Sequence, residues 1–118
     1  MSRISELEKL KEKILKFRNE RDWAQYHDPK NLAEAISIEA SELLENFLWK
    51  TKEESRNLDK EKIQDIKDEI ADVLIYLIVL SEELDIDLIK SAEEKLKKND
   101  NKYPVDKVKS RSKKYDEL

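Results

Sequence analysis

Glu69-Ile-Ala-Asp72-Val73-Leu-Ile-Tyr76-Leu-Ile-Val-Leu80 is the stretch that decides the fold. From Val73 onward it is apolar except for Tyr76, and its side chains cover nearly every direction around a helix. The helix that carries it is therefore the central element of the molecule. The run is far too short to cross a bilayer, which takes about 20 apolar residues. At its head stand two carboxylates, Glu69 and Asp72, at i and i+3. On a helix such residues share one face, with Cβ atoms about 5–6 Å apart. A second phrase of the same form, Glu39-Ala-Ser-Glu42, lies earlier in another apolar helical run. In both phrases the acidic edge borders the core-facing arc, with Tyr76 continuing one edge and Asn46 the other. Glu34 and Glu45 fall on the opposite side of their helix and read as solvated charges.

Four carboxylates at the border of a core need compensation. Desolvating one unpaired ionised carboxylate costs several kcal/mol, and no run of Lys or Arg accompanies these four. A hard divalent cation would offset that cost. All-oxygen donors suit Mg²⁺ or Mn²⁺ and not Zn²⁺. Such ions bridge carboxylates to substrate phosphates and make bound water nucleophilic. The quartet Glu39, Glu42, Glu69 and Asp72 therefore points to hydrolysis of a phosphoanhydride or a phosphate ester. Di-iron bundles would need Glu-x-x-His pairs, and the only histidine, His27, stands between helices.

The composition fits a helical reading. The chain has 118 residues, 44% of them charged, no Gly, two Pro and no Cys. That length suits one domain, residues 1–118, with a basic tail over about 105–118. Tight hairpins lean on Gly, so its absence points to long helices, and it excludes Gly-rich phosphate loops. Without Cys there is no disulfide, thiolate metal site or cysteine nucleophile. The formal net charge of −4 disfavours general nucleic-acid binding. Met-Ser-Arg-Ile-Ser-Glu lacks the apolar stretch of a signal peptide. A soluble, cytoplasmic protein with no membrane partner is expected.

Four helices follow from periodicity and caps. Ser5-Glu6-Leu7-Glu8 reads as a capping box for a first helix ending near Glu20. Trp23, Tyr26 and His27 fall in an aperiodic junction, which fits either packing or a ligand pocket. Asp28-Pro29 starts the second helix, expected to run to about Trp49. Thr51-Lys-Glu-Glu54 is a second capping box, with one helical turn to follow. Asp59 caps the third helix, which extends to about Leu84. Asp85 or Asp87 starts the fourth, where Asn99 and Tyr103 extend an apolar stripe and Pro104 marks the end. The nearly all-round apolarity of the third helix predicts a dimer or tetramer assembled through it, with Ile78 on the outer side.

Taken together, these motifs resemble the all-α, MazG-like nucleoside triphosphate pyrophosphohydrolases. Within them the chain is most similar to the short, single-domain dCTP pyrophosphatase type. The resemblance covers about residues 17–118. It rests on Arg21-Asp22-Trp23 with His27, Pro29-Lys-Asn-Leu32, Glu39-x-x-Glu42 with Phe47-Leu-Trp49, Glu69-x-x-Asp72-Val-Leu-Ile-Tyr76, Lys95-x-x-x-Asn99-x-x-Lys102-Tyr103-Pro104 and Ser112-Lys-Lys-Tyr115. It implies an oligomeric four-helix bundle that converts a dNTP, dCTP or a 5-modified dCTP, to dNMP and pyrophosphate with Mg²⁺. Glu39, Glu42, Glu69 and Asp72 would be the metal ligands, and Glu39 or Glu42 would orient the attacking water. Trp23, His27, Trp49 and Tyr76 would contact base and sugar. Lys95, Asn99, Lys102 and Tyr103 would serve sugar and phosphates. Tetrameric or dimeric relatives place their sites at interfaces, so a neighbouring chain would complete each site. The alternatives are a broader house-cleaning NTP pyrophosphatase, a non-enzymatic helical oligomer with a structural metal site, and a nucleic-acid binder acting through the basic tail.

Overall fold

The computed structural model describes residues 5–110, and every regular element among them is helical. The elements are α1 (Glu6–Glu20), a 3-10 turn (Ala24–Tyr26), α2 (Pro29–Glu45), α3 (Lys52–Arg56), α4 (Lys60–Glu83), α5 (Leu88–Lys102) and α6 (Val105–Val108). The all-helical expectation holds over these residues. Ser112-Lys-Lys-Tyr115 and the end of the basic tail lie outside them. The chain falls into two compact units, Met1–Asp85 and Ile86–Leu118.

Most helix starts obey local chemistry. Ser5 Oγ accepts from Glu8 N at 3.1 Å, and Asp28 Oδ1 accepts from Asn31 N at 2.9 Å with Pro29 in the first helical position. Thr51 and Glu54 form the full reciprocal box. Asp59 and Asp87 cap α4 and α5. Each such cap contributes about 1 kcal/mol.

The end of α2 differs from the expectation. The helix stops at Glu45, short of Trp49. The Asn46 amide donates to the carbonyls of Glu42 (3.2 Å) and Leu43 (3.5 Å), which are the acceptors that further helical turns would use. Asn46 and Phe47 then close tight i to i−3 bonds. Trp49 emerges with φ 70° and 95% exposed. With no Gly available, a Trp occupies left-handed backbone, a conformation that bulky residues rarely adopt.

In the first unit α4 is the central element, with α1 and α2 both packed against it. Among the described residues the buried apolar side chains are Ile14 from α1, Leu32 from α2, and Ile66, Ile78 and Val79 from α4. Fully burying each such side chain is worth about 1.5–3 kcal/mol. Two ion pairs tie α1 to the end of α4: Lys11 to Glu82 at 3.3 Å and Arg18 to Glu83 at 2.7 Å. The expectation for Ile78 is corrected here. It is 2% exposed, buried within its own chain against the bundle. The apolar row that α4 leaves open is Ile63, Ile70, Leu74 and Leu77 instead. No helix among the described residues is long and apolar enough to cross a membrane.

In the second unit, α5 presents Lys95 to solvent and half-buries Asn99. Tyr103 N closes the helix onto Asn99 O at 2.8 Å. Residues 105–108, which composition alone assigns to the start of a tail, form the short helix α6.

Candidate active site

The acidic phrases meet where α2 lies along α4. Glu39, Glu69 and Asp72 each bring one carboxylate oxygen to within 4.8 Å of the others. Glu42 sits one turn from Glu39 and lines a cleft together with Glu69. Lys62 Nζ donates to Asn46 Oδ1 at 3.4 Å. Asn46 follows Glu39 by seven residues along α2 while Lys62 precedes Glu69 by seven along α4, so α2 and α4 run antiparallel in this register.

This arrangement is electrostatically unsatisfied. One oxygen of Glu39 and one of Glu69 are buried without a hydrogen-bond partner. Burial pushes the Glu39 carboxyl up to about 7, helped by its side-chain contacts with Glu69 and Glu42 and by the charges of Glu42 and Asp72. Buried polar atoms are nearly always paired, so two orphaned carboxylate oxygens facing one point call for a cation. Hard oxygen donors in that arrangement fit Mg²⁺ or Mn²⁺. Glu39, Glu69 and Asp72 could hold such an ion, with Glu42 beside them.

An apolar cavity of about 470 Å³ adjoins the carboxylates. Glu39 and Asp72 form its acidic wall, and Ile14, Phe17, Trp23, His27, Ile75, Tyr76 and Val79 line the remainder with the cations Lys13 and Arg18. His27 and Tyr76 meet edge to face at 6.4 Å, and Phe17 and Trp23 do so at 5.7 Å. His27 Nδ1 is buried with no partner. Burial, then the nearby Arg18 charge, hold the His27 pKa below its ordinary value, partly countered by Glu83. The imidazole is therefore neutral at pH 7. Burial and the charges of Glu39 and Asp72 raise the Tyr76 phenol, which stays protonated as a donor.

The structure thus brings Glu39, Glu69 and Asp72 together, adjoined by Glu42, and gathers Trp23, His27 and Tyr76 around the cavity beside them. Trp49 is not among the residues lining that cavity. Lys95, Asn99, Lys102 and Tyr103 belong to the second unit. Sequence reasoning missed Lys13, Ile14, Phe17 and Arg18 in the cavity wall. The position of Arg18 depends on how α1 docks on α4, for which the local sequence carries no signal. It also missed Lys62 and Asp65, although Lys62, Asp65, Glu69 and Asp72 follow one helix stripe. Glu45, which its helix position marks as an ordinary solvated charge, lines the polar cleft beside Glu42.

Known proteins share this architecture. Residues 34–118 match the MazG-like family. The human dCTP pyrophosphatase 1 is 37% identical over 114 residues, covering 95% of this chain and 67% of that protein. The bovine dCTP pyrophosphatase 1 is 34% identical over a similar span. The crystal structure of a pyrophosphatase from Archaeoglobus fulgidus superposes with a TM-score of 0.83 at 40% identity, covering 88% of this chain and 97% of that one. The chain belongs to the MazG-like family.

Proposed function

We propose that the chain is a Mg²⁺-dependent nucleoside triphosphate pyrophosphohydrolase that converts a dNTP to dNMP and pyrophosphate, with dCTP or a 5-modified dCTP preferred. The observation that carries this reading is the meeting of Glu39, Glu69 and Asp72 oxygens within 4.8 Å against an aromatic cavity. The names of the human and bovine relatives supply the base preference.

In this reading the base enters between Trp23, His27 and Tyr76, and the α-phosphate comes to rest at the carboxylates. When bound, Mg²⁺ neutralises the phosphates and lowers the pKa of bound water. Glu39 or Glu42 orients the attacking water and takes its proton. The water oxygen bonds to the α-phosphorus, and the bond to the α–β bridging oxygen breaks. Its electron pair leaves with pyrophosphate. Neutral His27 borders the nucleoside, and Lys95, Asn99, Lys102 and Tyr103 are the candidate sugar and phosphate contacts, from this chain or a neighbouring copy.

The whole chain acts as one domain of an oligomeric bundle in this account, a dimer or tetramer. Two observations support that part: the open apolar row on α4, and Trp49, strained and 95% exposed. A Trp with no packing role in its own chain suits a neighbour's base pocket.

Pyrophosphate release measured over a panel of canonical and 5-modified dNTPs tests the reading. Turnover of dCTP well above dATP and dGTP is expected. Equal rates with all four bases would overturn the pyrimidine preference, and no Mg²⁺-dependent release with any nucleotide would overturn the activity, leaving a structural metal site.

A further inference from the structure

The acidic wall separates two different spaces. On one side lies the aromatic cavity, bounded by Glu39 and Asp72. On the other lies a polar cleft of about 540 Å³, lined by Glu42, Glu45, Asn46, Lys62, Asp65, Asp68 and Glu69. Five of these residues are carboxylates. Lys62 is the one cation among them.

Lys62 is unusual in what it does not do. It is half-buried amid carboxylates. Yet among the described residues none of them lies within ion-pair distance of its ammonium, and its hydrogen bond to Asn46 Oδ1 is long, at 3.4 Å. An ammonium has three donors. At most one is in use, and weakly, while the side chain lines the cleft.

Register fixes how far this amine is from the chemistry. Lys62 precedes Glu69 by one heptad on α4, and Asn46 follows Glu39 by one heptad on α2. That is about 10.5 Å along the helices. The outer phosphates of a triphosphate and the flexible four-carbon stem of a lysine cover such a span together.

We infer that Lys62 is a binding residue for the β- and γ-phosphates, so that the substrate lies along the α2–α4 seam with its base in the aromatic cavity and its pyrophosphoryl end in the polar cleft. This inference rests on the nucleotide reading above and adds the direction of the substrate and the residue that fixes it. Asn46 parks the amine in the free protein, and the phosphates draw it away.

The test compares the wild-type protein with Lys62→Met and Lys62→Arg, all with Mg²⁺. Calorimetry with α,β-imido-dCTP and with dCMP reports binding, and steady-state kinetics with dCTP separates KM from kcat. Lys62→Met is expected to weaken α,β-imido-dCTP and raise KM by about tenfold, the worth of one charge-assisted hydrogen bond. Its kcat and its dCMP affinity stay near wild type, and Lys62→Arg restores triphosphate binding. Unchanged α,β-imido-dCTP binding by Lys62→Met in a wild type that turns over dCTP overturns this inference alone. Equal losses for dCMP and α,β-imido-dCTP do the same, because they mark a structural role. A wild type that binds no triphosphate overturns the nucleotide reading, and this inference with it.

Discussion

Glu39 and Glu69 face each other across the α2–α4 seam, and each holds one buried carboxylate oxygen without a hydrogen-bond partner. With Asp72 their oxygens fall within 4.8 Å. Two like charges so placed oppose folding unless a proton or a cation lies between them. That frustration links the apo stability of the protein to its function.

The first consequence is a pH dependence. Glu39 titrates near 7 in the folded chain against an ordinary 4.5, chiefly through burial. Its proton is held more tightly in the folded state, so the contribution to stability is full below the ordinary value. It is lost as pH rises through about 7. Melting temperature measured without metal should therefore fall between pH 5 and pH 8. Glu39→Gln should flatten the part of the slope that Glu39 causes. Mg²⁺ at pH 8 should restore the melting temperature of wild type but not of Glu39→Gln. Identical slopes in the two proteins would contradict the assignment.

Glu69→Gln separates folding from chemistry. Removing one charge from the quartet relieves repulsion, so the metal-free variant should melt at or above wild type. Turnover should drop by more than about tenfold, since even indirect disturbance of a metal ligand costs about 10–100-fold. A variant that loses stability and keeps its rate would reverse both expectations.

Arg18 and Glu83 give a third measurement. Their 2.7 Å contact joins α1 to the end of α4, and Arg18 also lines the aromatic cavity. The Arg18 side chain is only 11% exposed, so the pair is worth more than a surface ion pair. Glu83→Gln should cost about 1–2 kcal/mol in denaturant unfolding. It also removes the charge that partly supports the His27 proton, so His27 should titrate lower still by NMR. An unchanged His27 titration would show that Glu83 does not act on the imidazole.

The proposed assembly places copies against the apolar row on α4. Leu74→Glu places a charge on the open row and should dissociate the assembly while leaving the helices folded, as read by light scattering and circular dichroism. Ile78→Glu places the charge inside the chain's own core and should unfold it. A folded, active Ile78→Glu variant, or an unchanged assembly in Leu74→Glu, would contradict this division of the helix.

Much of the fold is legible in the sequence because local chemistry decides it. Asp28, Thr51, Asp59 and Asp87 cap helices where short-range hydrogen bonding places caps. The two acidic phrases are legible because a carboxylate on the edge of an apolar helix face is costly to desolvate unless a cation meets it. What stays hidden depends on tertiary registration. The sequence of α4 is apolar nearly all round, so periodicity does not say that Ile78 faces inward and Leu74 outward; only the docking of α1 and α2 does. The stop at Glu45 is hidden because Asn46 continues the acidic face of its helix, and nothing in its spacing shows that its amide competes for helix carbonyls. Lys62 is hidden because a lysine in the first turn of a helix looks like solvated charge until Asn46 is seen beside it.

The most direct test of the whole account is the product of dCTP incubated with the protein and Mg²⁺, followed by phosphorus NMR. The account predicts dCMP and pyrophosphate in equal amounts, formed only with the divalent ion present. Appearance of dCDP and orthophosphate, or turnover that persists in excess chelator, would contradict it.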